Sequence, residues 1–313
     1  MIKINSLRIE YDEITAVKDL SLEIKKGQIF GLVGPNGAGK TSTIKALAGI
    51  LEPTYGEILI DGVDLELETQ RALQSIGYMP DFAPVYENLK VWEYLDVFAS
   101  AYLLNRELRK SRIDEWITRV NLRDKHDTYI KELSRGMRQR LVLAKTLLHD
   151  PKVLLLDEPA SGLDPSARRE MREILKSVAK ENKAIIISSH ILTELDDFCN
   201  SIGIMQKGMM VVSGSLEEIR AKVKTLGLLT IRLSEKSQDL ANKILQFLSN
   251  SKLISNLQGV TLTEYKMNFQ GDETQCTWLL DQLIKHEIPI YEFFLERPNI
   301  EDIFFQIGAK EVS

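Results

Sequence analysis

Gly34-Pro35-Asn36-Gly37-Ala38-Gly39-Lys40-Thr41 fits G-x-x-x-x-G-K-[ST], the spacing of a phosphate-binding P-loop. The flanks agree with the motif. Upstream, Gln28-Ile29-Phe30-Gly31-Leu32-Val33 reads as a short buried strand. Downstream, Ile44, Leu47, Ala48 and Leu51 recur at helical spacing. In such a strand–loop–helix the glycines let the backbone turn its N–H groups inward around phosphate oxygens. The helix N-terminus adds partial positive charge. Lys40 is placed to reach β- and γ-phosphates, and the Thr41 hydroxyl to ligate Mg²⁺.

A second apolar stretch narrows the chemistry. Val153-Leu154-Leu155-Leu156-Asp157-Glu158 reads as a strand buried on both faces that ends in two carboxylates. One carboxylate can organise Mg²⁺, and the next can polarise water for attack on a γ-phosphate. Asp164-Pro165 then starts a helix, with Asp as N-cap and Pro at its first position. Ala184–Ile187 gives another buried strand, ending in Ser188-Ser189-His190. Strands and helices alternating in this way predict a mainly parallel α/β core.

Around that core the pattern changes. Ile2, Ile4, Leu7 and Ile9 roughly alternate and read as an edge strand closed by a turn at Tyr11-Asp12. Periodicity alone makes Tyr11 an ordinary core or surface aromatic. Glu57–Ile60 followed by Asp61-Gly62 is a hairpin signal. Ser75–Pro80 gives a short strand, and from Glu87 to about Asn121 the pattern is helical. Met137, Leu141, Ala144 and Leu148 mark another helix. Ile202–Met205 and Met209–Val212 read as a hairpin, and Ser215-Leu216-Glu217-Glu218 as a capping box opening a linking helix. Beyond it the order is close to β-α-β-β-α-β, a small ferredoxin-like unit with one strand around Val260.

Length and composition limit the alternatives. A length of 313 residues suggests one large domain or, more readily, two, and 44% hydrophobic content is ample for a globular core. The net charge of −5 lends no support to a nucleic-acid partner. The N-terminus lacks the apolar core of a signal peptide. No apolar run approaches the roughly 18 residues needed to cross a bilayer. A membrane process would need another chain to supply the channel.

The order of these motifs resembles the nucleotide-binding subunits of ABC transporters. Gly34–Thr41, Leu133-Ser134-Arg135-Gly136-Met137, Val153–Pro159, Ser161-Gly162-Leu163-Asp164 and His190 look like Walker A, signature, Walker B, D-loop and switch histidine. The resemblance covers roughly residues 1–220, with a helical subdomain at about 86–150. It implies an α/β fold: a RecA-like P-loop NTPase core with an antiparallel β subdomain and a helical subdomain. Residues 221–313 form a small C-terminal α+β accessory domain. Its closing Arg297-Pro298-Asn299-Ile300-Glu301-Asp302-Ile303-Phe304 is similar to the extension on ATPases of the ABC-2 exporter type.

The resemblance implies roles residue by residue. Tyr11 would stack on adenine. Gly34, Pro35, Asn36, Gly37, Ala38, Gly39, Lys40, Thr41 and Ser42 would hold the ATP phosphates. Thr41, Asp81 and Asp157 would hold or approach Mg²⁺. Glu158 would act as base, and His190 would contact the γ-phosphate. Ser134, Arg135, Gly136 and Met137 would serve the ATP of a facing copy, and Asp164 would belong to the D-loop. Two departures stand out. The signature usually reads Leu-Ser-Gly-Gly-Gln, whereas Arg135 and Met137 replace a glycine and the glutamine here. The Q-loop glutamine falls at Asp81, which is shorter, anionic and without an amide donor.

The implied protein is an ATP-hydrolysing subunit that drives export by separate transmembrane permease subunits. It would act as a dimer, peripheral on the cytoplasmic face of the cell membrane, with no nucleic-acid partner. The rival is a soluble ABC-type ATPase acting on ribosomes or DNA. Translation-type members usually carry two cassettes, and repair-type members long coiled coils; this chain shows one P-loop and no heptad run. The loop with Phe82, Val85 and Tyr86 has two readings: packing into the helical subdomain, or an apolar groove for a membrane-subunit helix.

Overall fold

The computed structural model of the chain describes residues 1–82, 84–195, 198–219 and 226–296. The chain divides into two compact units, Met1–Gly214 and Ser215–Ser313. The division falls shortly before residue 220.

In chain order the first unit contains β1 (Ile2–Tyr11), β2 (Ile14–Ile24), β3 (Ile29–Val33), α1 (Lys40–Leu47), β4 (Tyr55–Ile60), β5 (Val63–Asp64), α2 (Thr69–Leu73) and β6 (Ile76–Met79). There follow α3 (Val91–Ala101), α4 (Arg106–Arg119), α5 (Arg135–Leu147), β7 (Val153–Leu156), α6 (Pro165–Ala179), β8 (Ala184–Ser189), β9 (Ser201–Gln206) and β10 (Met209–Ser215). One sheet runs in the order β5-β4-β1-β2-β10-β9-β3-β8-β7-β6. From β9 to β6 every pairing is parallel. From β2 to β5 the pairings are antiparallel. The wholly buried Phe30, Leu32, Leu155 and Ile186 explain why these strands read as continuous apolar runs.

β1 is not an edge strand. It pairs with β2 on one side and β4 on the other. Its alternation records one buried face and says nothing about how many neighbours it has. The break in the alternation between Ile4 and Leu7 is a register shift, with Ser6 at φ 47. The Asp61-Gly62 turn has positive φ at both residues, as a two-residue hairpin requires. The helical block begins at Val91, later than Glu87, and buries Tyr94, Ile113, Trp116 and Ile117.

Both halves of the capping box at the start of the second unit are made. Ser215 N donates to Glu218 Oε2 at 3.0 Å, and Glu218 N donates to Ser215 Oγ at 3.1 Å. Residues 216–219 are helical, and the continuation of the linking helix lies outside the described residues. The unit contains β11 (Leu226–Leu233), α7 (Gln238–Ser249), β12 (Ile254–Gly259), β13 (Glu264–Gln270), α8 (Glu273–Lys285) and β14 (Ile290–Glu296). Val260 comes after β12 rather than lying within it. The sheet order is β12-β13-β11-β14, with all neighbours antiparallel. That is the split β-α-β-β-α-β arrangement. Its core joins Leu229, Ile231, Tyr265, Met267 and Phe269 to Ile244 and Leu279 on the helices. The Arg297–Phe304 segment lies outside the described residues.

Candidate functional site

The carboxyl ends of β3, β6, β7 and β8 come together because the parallel strands run in register. Met79 is level with Leu156, Leu156 with Ile187, and Val33 with Ser189. The segments that leave these strand ends therefore meet at one edge: the P-loop, Asp81, Asp157-Glu158 and His190. Ligands of open α/β sheets bind at this edge.

A cleft of about 680 Å³ opens there. Asn36, Gly37, Ala38, Gly39, Lys40, Thr41 and Ser42 line one side, and Asp81, Glu158 and His190 the other. Gly39 caps α1 at φ 105, a conformation that side chains resist. A Cβ there would also come within 2.5 Å of the Ala16 carbonyl oxygen. No side chain caps α1, and its first turn holds no acid. Its leading N–H groups thus remain available to an anion.

Lys40 is only 5% exposed. Its Nζ donates to the carbonyls of Gly34 at 2.7 Å and Pro35 at 3.2 Å, and lies 3.8 Å from Glu158 Oε1. Burial lowers its pKa, opposed by the charges of Glu158 and Asp157. Asp157 is 2% exposed and lies behind Thr41. Its Oδ1 accepts from Thr41 Oγ1 at 3.2 Å and from Ser188 Oγ at 2.6 Å. Ser188 Oγ in turn accepts from Glu158 N at 2.9 Å. Glu158 has φ 48, a rare backbone for a side chain of this size and one that clusters at functional sites. His190 Nδ1 lies 2.9 Å from Glu158 Oε2.

Asp81 lines the cleft as a carboxylate among carboxylates. Its pKa is raised by desolvation and then by Asp157 and Glu158, with Arg135 and His190 opposing. Tyr11 does not line the cleft. It is 41% exposed, and its hydroxyl donates to Ser42 Oγ at 3.3 Å. Ile14, Thr15, Ala16 and Lys18 of β2 line it instead, with Ser161 and Lys207. Ser134, Arg135, Gly136 and Met137 do not line it either. Ser134 caps α5, accepting from Met137 N at 3.3 Å. Asp164 caps α6, accepting from Ser166 N and Ala167 N at 2.9 Å each.

The residues suit a magnesium nucleotide. Uncapped N–H groups and a buried ammonium match a polyphosphate. Thr41 and Asp157 supply hard oxygen donors, few in number, which fits an ion that keeps several waters. Glu158 stands where it can take a proton or orient a water, with His190 against its carboxylate.

Fold and cleft together define a P-loop nucleotide triphosphatase. The family profile for the ABC transporter matches residues 17–161. The uncharacterized ABC transporter ATP-binding protein YhcH of Bacillus subtilis is 34% identical over 95% of this chain and 92% of its own length. NatA, an ABC transporter ATP-binding protein of the same organism, is 34% identical over 78% of this chain and 93% of its own length. A solved cbiO1 from Clostridium perfringens, part of the ABC transporter complex cbiONQ, has a TM-score of 0.65 at 28% identity, covering 71% of this chain and 90% of that one. The chain belongs to the ABC transporter family as an ATP-binding subunit, and its activity is ATP hydrolysis. These relatives favour a transporter over the ribosome- or DNA-acting alternative.

Proposed function

We propose that this chain is the motor subunit of an exporter of the ABC-2 type, working as a dimer on separate membrane permease subunits. The observation that carries the dimer is the place of the signature. Ser134, Arg135, Gly136 and Met137 cap and open α5 without lining their own chain's cleft. In a head-to-tail pair the start of α5, with Ser134 and Gly136, would face the partner's nucleotide. Lys40 and the P-loop amides hold ATP, Thr41 and Asp157 hold Mg²⁺, Glu158 serves as base, and His190 orients it. Tyr11 would reach adenine from beside Ser42. The bound ion supplies charge neutralisation at the phosphates.

Export is supported by relatives such as LnrL of Bacillus subtilis, named a linearmycin resistance ATP-binding protein, which is 28% identical over 99% of each chain. A peripheral place on the cytoplasmic face of the membrane follows from this reading. Among the described residues, no helix is long and apolar enough to cross a bilayer.

The loop after Asp81 is proposed as the permease contact. Phe82 is 83% exposed, and Tyr86 stays 59% exposed although its ring lies 6.2 and 6.5 Å from those of Tyr94 and Phe98. Packing into the helical subdomain thus takes up only part of Tyr86, and both side chains keep most of their surface open. Phe82→Ala with Tyr86→Ala is expected to weaken co-purification with the permease about tenfold, with ATP affinity within about twofold of normal. Unchanged association would remove the loop from the interface. Asp81→Ala is expected to lower transport in vesicles more than the basal ATPase of the lone subunit. Equal loss in both assays would place Asp81 in hydrolysis rather than coupling.

A further inference from the structure

Arg135 occupies the first helical position of α5, directly after Ser134. In the sequence it registers only as a glycine lost from a phosphate-facing loop. In the fold its side chain has a partner within the same chain. Nη2 donates to the Ser161 carbonyl at 2.9 Å. The guanidinium also covers Gly162, where an added Cβ would lie 2.5 Å from Arg135 Cζ. Gly162 is left-handed at φ 65.

The turn beneath this contact is suspended from the catalytic strand. Ser161 N donates to the Glu158 carbonyl at 3.1 Å, and Leu163 N to the Ala160 carbonyl at 3.3 Å. The starts of α5 and α6 also touch, since a Cβ on Gly136 would lie 2.7 Å from that of Ala167. Arg135 therefore ties the beginning of one helix to the short segment between Glu158 and the next.

We propose that Arg135 is a positioning residue that clasps the Ser161–Asp164 loop of its own chain and thereby fixes the backbone following Glu158. A guanidinium suits the task. It donates a charge-assisted hydrogen bond to the carbonyl while its flat face covers a residue that lacks a side chain. A glycine at this position could do neither. The positive charge has a further use, because it counters the crowding of carboxylates around Asp81.

The clasp lies within one chain, so it is tested on full-length protein without nucleotide by amide hydrogen exchange. Only the turnover measurement rests on the ATPase reading above. Arg135→Ala is expected to speed exchange at the Ser161 and Leu163 amides about tenfold, while Met171–Leu175 in α6 stay unchanged. With Mg-ATP, Arg135→Ala should lower kcat about tenfold and leave KM within about twofold. Arg135→Lys should recover part of both losses through its single ammonium. Unchanged exchange at both amides overturns the clasp, and so does faster exchange spread evenly through α6. Slower turnover without an exchange change would assign Arg135 to the facing nucleotide instead, and the proposal would fall.

Discussion

Glu158→Gln is expected to cut kcat by about a hundredfold to a thousandfold while ATP affinity stays within a few-fold of wild type. The affinity should survive because the P-loop amides and Lys40 are untouched. Glu158 meets two cationic or donor groups at once: Lys40 Nζ at 3.8 Å and His190 Nδ1 at 2.9 Å. A glutamine offers a single oxygen, so it can keep one of those partners and must turn N–H groups toward the other. It also cannot take a proton from water near neutral pH. The backbone needs no adjustment, since the φ 48 conformation is set by the turn and by the Glu158 N–H bond to Ser188. Binding without hydrolysis should leave the dimer closed. Size exclusion with Mg-ATP is expected to show a stable dimer that wild type shows only transiently. Turnover within tenfold of wild type would take the base assignment away from Glu158, and a species that stays monomeric would refute the closed dimer.

The sequence exposes those parts of the site that depend on neighbours along the chain. The P-loop is legible because a few consecutive residues carry its whole geometry. Asp157 and Glu158 are legible because an unbroken apolar run marks the strand whose end they occupy. Ser188 is different. Its bond to Asp157 arises only because β7 and β8 pair in parallel with Leu156 level with Ile187. No local pattern encodes that register. The β2 residues in the cleft are hidden for the same reason. Ala16 approaches Gly39 where the turn between β9 and β10 joins both segments: Lys18 N donates to the Gly208 carbonyl at 2.8 Å, and Gly208 N to the Ala38 carbonyl at 3.1 Å. β1 reads as an edge in the sequence for a related cause, since alternation reports one buried face and not the number of hydrogen-bonded neighbours. Arg135 shows the same limit at side-chain scale. Its meaning depends on Gly162, which lies in another motif and becomes adjacent only when α5 and α6 meet.

Lys40→Met separates stability from activity most sharply. Lys40 is buried, and desolvation pulls its pKa below the ordinary 10.5 despite Glu158 and Asp157 nearby. The folded state thus holds this proton more weakly than the unfolded chain does. The charged lysine therefore costs stability at neutral pH, and the cost fades only as pH rises from the lowered folded value to 10.5. Its hydrogen bonds to the Gly34 and Pro35 carbonyls compensate in part. Methionine keeps the length and the apolar stem while removing the charge. Nucleotide-free protein with Lys40→Met should therefore melt no lower than wild type, within about 2 °C. Its advantage should shrink in alkaline buffer as the wild-type lysine discharges. Phosphate recognition loses the buried cation of the P-loop, so kcat/KM should fall by at least about a hundredfold. Calorimetry without nucleotide and a steady-state ATPase assay would check the two halves on one sample. A large drop in melting temperature would mean that the lysine chiefly props the loop. Wild-type turnover in a well-folded variant would mean that this cleft is not where ATP is hydrolysed.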